Sequence, residues 1–254
     1  MSYLYETHLH TVWGSSCAVS RGPDYLSLYR DQGYTGIFVT DHFYNGNTAV
    51  DRALPWAEWV AEFCRGYEET REAGDKIGLD VFFGWEETFD GDDYLVYGLD
   101  RAWLLKHGEA RRWTRAEQAE AVRAAGGCVV QAHPFRAAAY ISAIHLFPAL
   151  VDAVETGNRA NAPAWDVLAA RYARQFGLPE TAGSDIHSVS ALRSTEAAYG
   201  VFLQEKLSSA ADYAKIIRSK AAIGLRTAKN RFQDAAVQMP CIPVNIHGAV
   251  STQY

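Results

Sequence analysis

The chain has 254 residues, of which 48% are hydrophobic and 21% are charged. This length is enough to bury a sizeable core, and it fits either one barrel domain or two smaller domains. The formal net charge of −6 gives no bulk attraction to a phosphate backbone, and no local basic patch indicates a nucleic-acid partner.

The sequence favours a cytoplasmic protein. Its four cysteines, Cys17, Cys64, Cys128 and Cys241, are scattered without a CxxC pair, which argues against a disulfide framework. The first residues resemble no secretory signal, and no run approaches the roughly 20 apolar residues of a membrane span.

Short apolar runs rich in β-branched and aromatic residues predict a series of buried strands. These runs are Leu4 and Tyr5, then 36–40, 80–83, 94–97, 127–130 and 151–154, and a last run from Thr181 onward.

Helical patterns fill most of the gaps between the strands. Pro23 and Gly33 bound the first helix, and Thr114 with Glu117 forms a capping box ahead of another. Aromatic residues from Trp56 to Tyr67 recur at helical spacing and are best explained as a packed helix face. The alternation predicts one α/β domain over residues 1–254, with the stretch after about residue 195 closing the barrel or appended to it.

Residues able to bind metal or transfer protons follow almost every predicted strand. In chain order they are Glu6, His8 and His10; Asp41 and His42; Glu86 and Glu87; His133; Glu155 and Asn158; and Asp185 and His187. Because the C-terminal ends of parallel strands converge on one face of a barrel, we expect these side chains to meet in space.

The types and spacing of these residues favour divalent transition metals over calcium or magnesium alone, since imidazole suits zinc, iron and manganese. In His8-x-His10, residues two apart on a strand project from the same face, so both imidazoles could bind one ion. Asp185-x-His187 repeats the spacing. In contrast, His107, His145 and His247 stand without evident partners and are expected to be structural or exposed.

In order, the motifs E-T-H-L-H-T, T-D-H, G-W-E, A-H-P-F, V-E-x-x-N and G-S-D-x-H resemble the PHP (polymerase and histidinol phosphatase) superfamily of metal-dependent phosphoesterases. The resemblance spans about residues 2 to 190. It implies a distorted seven-stranded (β/α) TIM-like barrel. That barrel would hold up to three ions, usually zinc, manganese or iron, around a hydroxide that attacks phosphorus.

The resemblance also implies a set of metal ligands: His8, His10, His42, Glu86, His133, Asp185 and His187. The first ion would use His8, His10, Glu86 and Asp185. Glu86 would bridge to a second ion that also uses His133, and His42 and His187 would serve a third. Glu6 stands where the family has an Asp, and it is better suited to orienting a ligand than to binding the ion.

Two positions depart from the family pattern. Ser16 or Cys17 stands where a further histidine is expected, and Asp93-Tyr94 stands where another would open the fourth strand. Two ions are therefore expected, with one or three as alternatives, unless Cys17, Asp92, Asp93 or Tyr94 substitutes. A thiolate at Cys17 would shift the preference toward zinc.

The predicted activity is hydrolysis of a small phosphate monoester or nucleotide. The candidate catalytic residues are His42, His187 and Asp185, and either histidine would protonate the leaving oxygen if no ion occupies it. The candidates to bind the phosphate are Arg136, Arg159 and Arg193, for which surface salt bridging is an equal alternative.

Two other functions remain open. An amidohydrolase-like C–N hydrolase would use similar chemistry on a similar barrel, although no lysine clearly follows a strand to form a bridging carbamate. The other is a catalytically silent protein that keeps the PHP fold and binds a ligand without turnover.

Overall fold

The computed structural model describes residues 2–193, 198–232 and 241–248. Within them, nine strands form one sheet that curves into a nearly closed barrel, flanked by six α-helices. The predicted α/β barrel-like fold is confirmed, although the described sheet has nine strands where seven were expected.

The strands of the chain are β1 Tyr3–Glu6, β2 Gly36–Val39, β3 Asp80–Phe89, β4 Asp92–Tyr97, β5 Cys128–Gln131, β6 Ile144–Leu146, β7 Ala153–Asn158, β8 Glu180–Gly183, β9 Gly200–Leu203, β10 Gly224–Arg226 and β11 Val244–Ile246. The α-helices are α1 Gly22–Asp31, α2 Trp56–Ile77, α3 Arg101–Lys106, α4 Arg115–Ala124, α5 Pro163–Gln175 and α6 Ala210–Arg218. Short 3-10 helices cover Gly108–Arg112 and Val189–Arg193.

The main sheet has the strand order β10-β9-β1-β2-β3-β4-β5-β7-β8. The pairs β1 with β2, β2 with β3, β5 with β7 and β7 with β8 are parallel. Just beyond β1 and β8, Leu9 and Ile186 form a parallel bridge in which the amide of His10 donates to the carbonyl of Ile186 at 3.0 Å. This bridge brings the first and last parallel strands together at their C-terminal ends.

The fourth strand departs from the expected parallel pattern. β4 pairs antiparallel with both β3 and β5, and β3 and β4 form a hairpin whose loop is Asp90 and Gly91. Both loop residues have positive φ, 55° and 88°, as a tight two-residue hairpin turn requires. The start of β4 therefore lies at the same end of the sheet as the C-terminal ends of its neighbours.

The helices cover the outside of the sheet as the sequence indicates. Thr114 and Glu117 form the predicted capping box at the start of α4. In α2, the fully buried Trp59 packs against Phe43 and Phe63 in one of the core clusters, so the aromatic face of this helix is a packing surface.

The later part of the chain adds to the same sheet. β9 pairs antiparallel with β1, and β10 pairs with β9. Separately, β11 pairs in parallel with β6, which places Nδ1 of His145 3.0 Å from Nε2 of His247. The expectation that these two histidines lack partners is therefore wrong.

Across the described ranges, none of the helices combines the length and the apolar character needed to cross a membrane.

A buried ion pair anchors the loop that follows β7. Asp166 of α5 is fully buried and accepts hydrogen bonds from the Asn158 amide, the Asn161 side chain and the Arg231 guanidinium at 2.9–3.0 Å. Burial raises the pKa of Asp166 to about 6, although Arg231 and the hydrogen bonds from Asn161 and Asn158 act in the opposite direction.

This raised pKa predicts a pH-dependent contribution to stability. The folded protein keeps a proton that the unfolded chain releases, so the contribution is present below the unfolded pKa of 3.8 and is lost as the pH rises through about 6. It amounts to about 3 kcal/mol or less. Asp166→Asn should flatten the fall in unfolding free energy across this window, as measured by urea titration at several pH values.

The exposed Asp75→Asn variant on α2 is the matched control and should keep the wild-type pH dependence. An Asp166→Asn variant with an unchanged pH profile would show that Asp166 does not titrate in this range.

Candidate metal centre

Two histidines extend from the end of β1 into the mouth of the barrel. His8 and His10 are both fully buried, with ring centroids 5.0 Å apart. Nδ1 of His8 lies 3.0 Å from Oε1 of Glu155, and Nδ1 of His10 lies 3.0 Å from the hydroxyl of Ser15. These bonds fix both rings and leave each Nε2 directed toward the same point.

Glu86 lies at the centre of the cluster, on the C-terminal half of β3. Its Oε1 is 3.2 Å from Nε2 of His8 and 3.1 Å from Nε2 of His133. Its Oε2 is 3.4 Å from Nε2 of His10 and 2.9 Å from Nδ1 of His42. One carboxylate thus faces four imidazoles that come from the ends of three other strands.

Asp185, just after β8, supplies the second central carboxylate. Its Oδ1 lies 3.5 Å from Nε2 of His8 and 3.3 Å from Nε2 of His10. Its Oδ2 accepts a hydrogen bond from Nη2 of Arg136 at 2.5 Å. Asp185 therefore has one oxygen directed at the histidines and the other held by an arginine.

His42 and His187 complete the cluster on its outer side. The His10 ring lies next to both of them, with its centroid 4.5 Å from that of His42 and 4.2 Å from that of His187. Nδ1 of His187 is 3.0 Å from the Asp185 carbonyl, which leaves its Nε2 for another partner. The structure thus brings together every residue of the predicted ligand set.

Two buried carboxylates that touch no imidazole ring organise the backbone around the site. Glu6 accepts hydrogen bonds from the amides of His8 and Ser184, at 2.9 and 2.8 Å, and so ties the ends of β1 and β8 together. Asp41 accepts from the hydroxyl of Ser15, the residue that holds His10. Glu6 therefore orients the ligand-bearing segments, as its position in the sequence suggests.

The backbone near the site is tightly constrained. A Cβ at Gly183 would lie 2.5 Å from the Cβ of His8, so only glycine allows β8 to approach the first histidine this closely. His133 and Asp185 adopt positive φ values of 28° and 51°, which are uncommon for residues other than glycine. Strain of this kind is often retained where a side chain must be aimed at a functional site.

Electrostatics keep the two central carboxyls ionised. Burial would raise the pKa of Glu86, but the imidazoles of His8 and His42 hold it well below its usual range. Burial would likewise raise the pKa of Asp185, and Arg136 and His8 outweigh that effect. Both central carboxyls are therefore ionised, the form in which a carboxylate can bind a metal ion.

A cavity of about 510 Å³ opens directly onto the cluster. Its lining combines predicted ligands with polar loop residues and one aromatic ring: Cys17, His42, Asn45, Gly46, Asn47, Thr88, Gly91, Asp93, Arg136, Tyr140, Asp185 and His187. The volume fits a small-molecule ligand.

Of the three predicted phosphate-binding arginines, Arg136 lines this cavity. Arg159 points elsewhere, and its guanidinium donates to the Ala191 carbonyl at 3.5 Å. The side chain of Arg193 lies outside the described residues.

The sequence departs from the family pattern at two positions, Ser16-Cys17 and Asp93-Tyr94, and one residue of each pair lines the cavity. Cys17 lines it, whereas the hydroxyl of Ser16 turns away to donate to the Thr48 carbonyl. Burial would raise the pKa of the Cys17 thiol, but hydrogen bonds with His187 and His42 and the charge of these imidazoles lower it to about 6.

At the other position, Asp93 points into the cavity, with Oδ2 3.8 Å from Nε2 of His133. Tyr94 is buried in a core cluster, and Asp92 lies 3.7 Å from Arg115, so neither of them substitutes.

Sequence reasoning did not assign roles to Ser15 and Glu155, which hold the two histidines after β1. Glu155 stands in the V-E-x-x-N motif, so the sequence did mark it. Ser15 carries no sequence signal, because its role depends on a loop that folds back onto His10.

Several buried atoms of the cluster make no well-aligned hydrogen bond: Nε2 of His8, Nε2 of His10, Nδ1 of His42 and Oε2 of Glu86, although the last two lie 2.9 Å apart. Three groups of ligand atoms lie within 4.8 Å of one another: His8, Glu86 and His133; His8, His10 and Asp185; and His10, His42 and His187. Buried polar atoms are costly without a partner, and these donor types and distances fit divalent metal ions.

No family model and no curated protein matches the chain. Among solved structures, one similar protein is a two-domain protein of Bacteroides vulgatus containing a predicted PHP-like metal-dependent phosphoesterase. It is 13% identical with a TM-score of 0.62, over 90% of this chain and 65% of that one, so this chain spans less than two thirds of its length.

Two other structures are similar over nearly their full length. A protein of Bifidobacterium adolescentis, assigned by prediction to the metal-dependent phosphoesterases, is 17% identical, with a TM-score of 0.50, over 86% of this chain and 96% of that one. PsfC of Pseudomonas syringae is 15% identical, with a TM-score of 0.59, over 91% and 93%. At these identities, the comparisons establish a common fold.

The central position of Glu86 predicts that its charge is needed for metal binding. Glu86→Gln keeps the size of the side chain but removes the negative charge shared among four imidazoles, so the purified variant should lose at least one ion per chain. Plasma mass spectrometry of protein purified without chelator measures this loss. Glu109→Gln, an exposed glutamate that also pairs with a histidine, is the matched control and should keep full metal content. Full content in Glu86→Gln would remove this residue from the ligand set.

Substitution of Glu155 should affect metal binding less than substitution of Glu86, by lowering affinity without removing an ion. Because Glu155 holds Nδ1 of His8 and belongs to none of the three groups of candidate ligand atoms, Glu155→Gln should lower metal affinity about 10- to 100-fold and retain the sites. Competition with a fluorescent chelator gives the affinity. An unchanged affinity would mean that the bond to His8 does not tune the ligand.

Proposed function

We propose that the chain is a metal-dependent phosphoesterase that hydrolyses a small phosphate monoester or a nucleotide. The observation that carries the proposal is the cluster of five imidazoles and two ionised carboxylates at the C-terminal ends of the strands. Its unpaired buried atoms face one another beside an open cavity.

The proposed ligand set divides around Glu86. His8, His10 and Asp185 would hold an inner ion, and His133, with Asp93 nearby, would hold a second, with Glu86 lying between the two sets of ligands. Bound divalent ions would supply Lewis acidity and activate a water for attack on phosphorus.

The side chains of the protein would then position the substrate. Arg136 is held by Asn161 at 3.1 Å and by Asp185 at 2.5 Å, so its planar guanidinium is fixed at the cavity wall, where it can meet a phosphate oxygen. His42 and His187 line the cavity. If neither of them binds a metal ion, the imidazolium of either residue would be able to protonate the leaving oxygen.

One contrast with C–N hydrolysis supports this choice. Every lysine of the chain is exposed at the surface, so none lies within the cluster to form a bridging carbamate. Metal-loaded protein should therefore turn over members of a panel of phosphate esters and leave cyclic amides intact. Turnover of the amides alone would overturn the proposal, and failure to bind metal even after reconstitution would favour a silent binding protein.

Arg136→Lys tests substrate positioning without removing the positive charge beside Asp185. The lysine loses the two-pronged hydrogen bonding of the guanidinium, so KM should rise about 10-fold with metal content unchanged. Steady-state kinetics on the best ester of the panel measure the change. Arg159→Lys, whose side chain bonds the Ala191 carbonyl outside the cavity, should behave like wild type. Equal effects of the two variants would argue against a role for Arg136 in binding the phosphate.

A further inference from the structure

Arg231 lies after β10, outside the stretch of about residues 2 to 190 that resembles the PHP superfamily. Its side chain is only 9% exposed, and its guanidinium carbon lies 5.6 Å from the ring centroid of Tyr199. The segment that carries it packs closely against β7, because a Cβ at Gly157 would lie 2.7 Å from Cγ2 of Thr227. A largely buried cation is costly unless several partners compensate it, so the partners of Arg231 indicate what it does.

The hydrogen-bond partners of Arg231 belong to the turn that follows β7 and to the helix after it. Nη2 of Arg231 donates to the carbonyls of Asn158 and Asn161 at 2.7 and 2.6 Å. Nε donates to Oδ2 of Asp166 at 2.9 Å. A planar guanidinium can make these bonds together, whereas the ammonium of a lysine has no fixed fork. Arg231 therefore fixes the backbone at both ends of the 158–161 turn.

The side chains of the same turn hold Arg136 at the cavity. Oδ1 of Asn161 accepts from Nε of Arg136 at 3.1 Å, and Oδ1 of Asn158 accepts from Nη2 at 3.3 Å. Nδ2 of Asn161 donates to Asp166 at 3.0 Å. Nδ2 of Asn158 donates to Glu155 at 2.8 Å. Because both amide nitrogens are engaged in this way, each asparagine directs its oxygen at Arg136.

These two bonds determine the orientation of the Arg136 guanidinium. Its other carboxylate partner is Asp185 at 2.5 Å, and one contact alone would let the group pivot about it. The oxygens of Asn158 and Asn161 bind two different nitrogens and so fix the plane of the guanidinium. A displacement of about 1 Å in a group that binds substrate is enough to weaken its effect strongly.

We infer that Arg231 is a positioning residue for Arg136. It fixes the 158–161 turn, and the side chains of that turn orient the guanidinium of Arg136 toward a phosphate in the cavity. Arg231 is not among the described residues that line the cavity, so its effect on a bound phosphate passes through the turn. The inference rests on the proposed function for the role of Arg136 in binding phosphate.

Binding of inorganic phosphate tests the inference without measuring turnover. The full chain is reconstituted with manganese, freed of excess ion and titrated with phosphate by isothermal titration calorimetry. Arg231→Lys keeps the positive charge beside Asp166 but loses the fork, so the dissociation constant for phosphate should rise about 3- to 10-fold with metal content unchanged. Arg226→Lys is the matched control, because its guanidinium donates to the Gln32 carbonyl at 3.0 Å, and it should bind phosphate like wild type.

A double variant separates positioning from other effects. If Arg231 acts only through Arg136, Arg231→Lys should weaken phosphate binding no further when it is added to Arg136→Lys. A residue that acts by another route predicts that the two effects multiply. Should Arg231→Lys fold poorly, Arg231→Gln combined with Asp166→Asn removes both charges of the buried pair and tests the same coupling.

Four results would overturn the inference: unchanged phosphate affinity in Arg231→Lys, effects that multiply in the double variant, loss of bound metal in Arg231→Lys, or a wild-type protein that binds no phosphate. Ester turnover alongside any of these results leaves the proposed function intact. Conversely, a non-additive loss of phosphate affinity in a protein that hydrolyses no phosphate ester supports the role of Arg231 and removes the proposed function.

Discussion

The burial of negative charge at one point of the barrel is the constraint on which the rest of the structure depends. Glu86, Glu155 and Asp185 are at most 6% exposed, and an ionised carboxylate is costly to bury unless cations or hydrogen bonds compensate it. The compensating groups come from the ends of separate strands, so the cluster can form only when the whole sheet is closed. Glu6 strengthens that closure by binding amides from both β1 and β8.

The general location of the centre could be predicted from the sequence because parallel strands impose it. Once apolar runs alternate with helices, polar residues that follow each run must gather at one end of the barrel. His8 and His10 are the clearest example, since their two-residue spacing already puts both rings on one face. The close approach of β8 to the Cβ of His8, which requires glycine at position 183, could be identified only from the folded chain.

The features that the sequence did not predict depend on changes in chain direction, which the spacing of apolar residues does not indicate. From its apolar residues, β4 is predicted as one more buried strand. In the structure, the Asp90-Gly91 turn makes β4 antiparallel to β3 and brings Asp93 close to His133. The Asp-Gly pair between two apolar runs is a hairpin signal and would have predicted this reversal. The approach of Cys17 to His42 and His187 has no such signal, because it depends on hydrogen bonds between loops far apart in sequence.

The charge distribution of the cavity also limits how any phosphate could bind. Among the described lining residues, Arg136 is the one arginine, and its charge is largely balanced by Asp185 at 2.5 Å, while Asp93 adds a further carboxylate. Arg136 therefore offers a dianionic phosphate little net positive charge by itself. Bound cations would supply that charge, so on the proposed function the same ions would help to bind the substrate and would activate the water that attacks it.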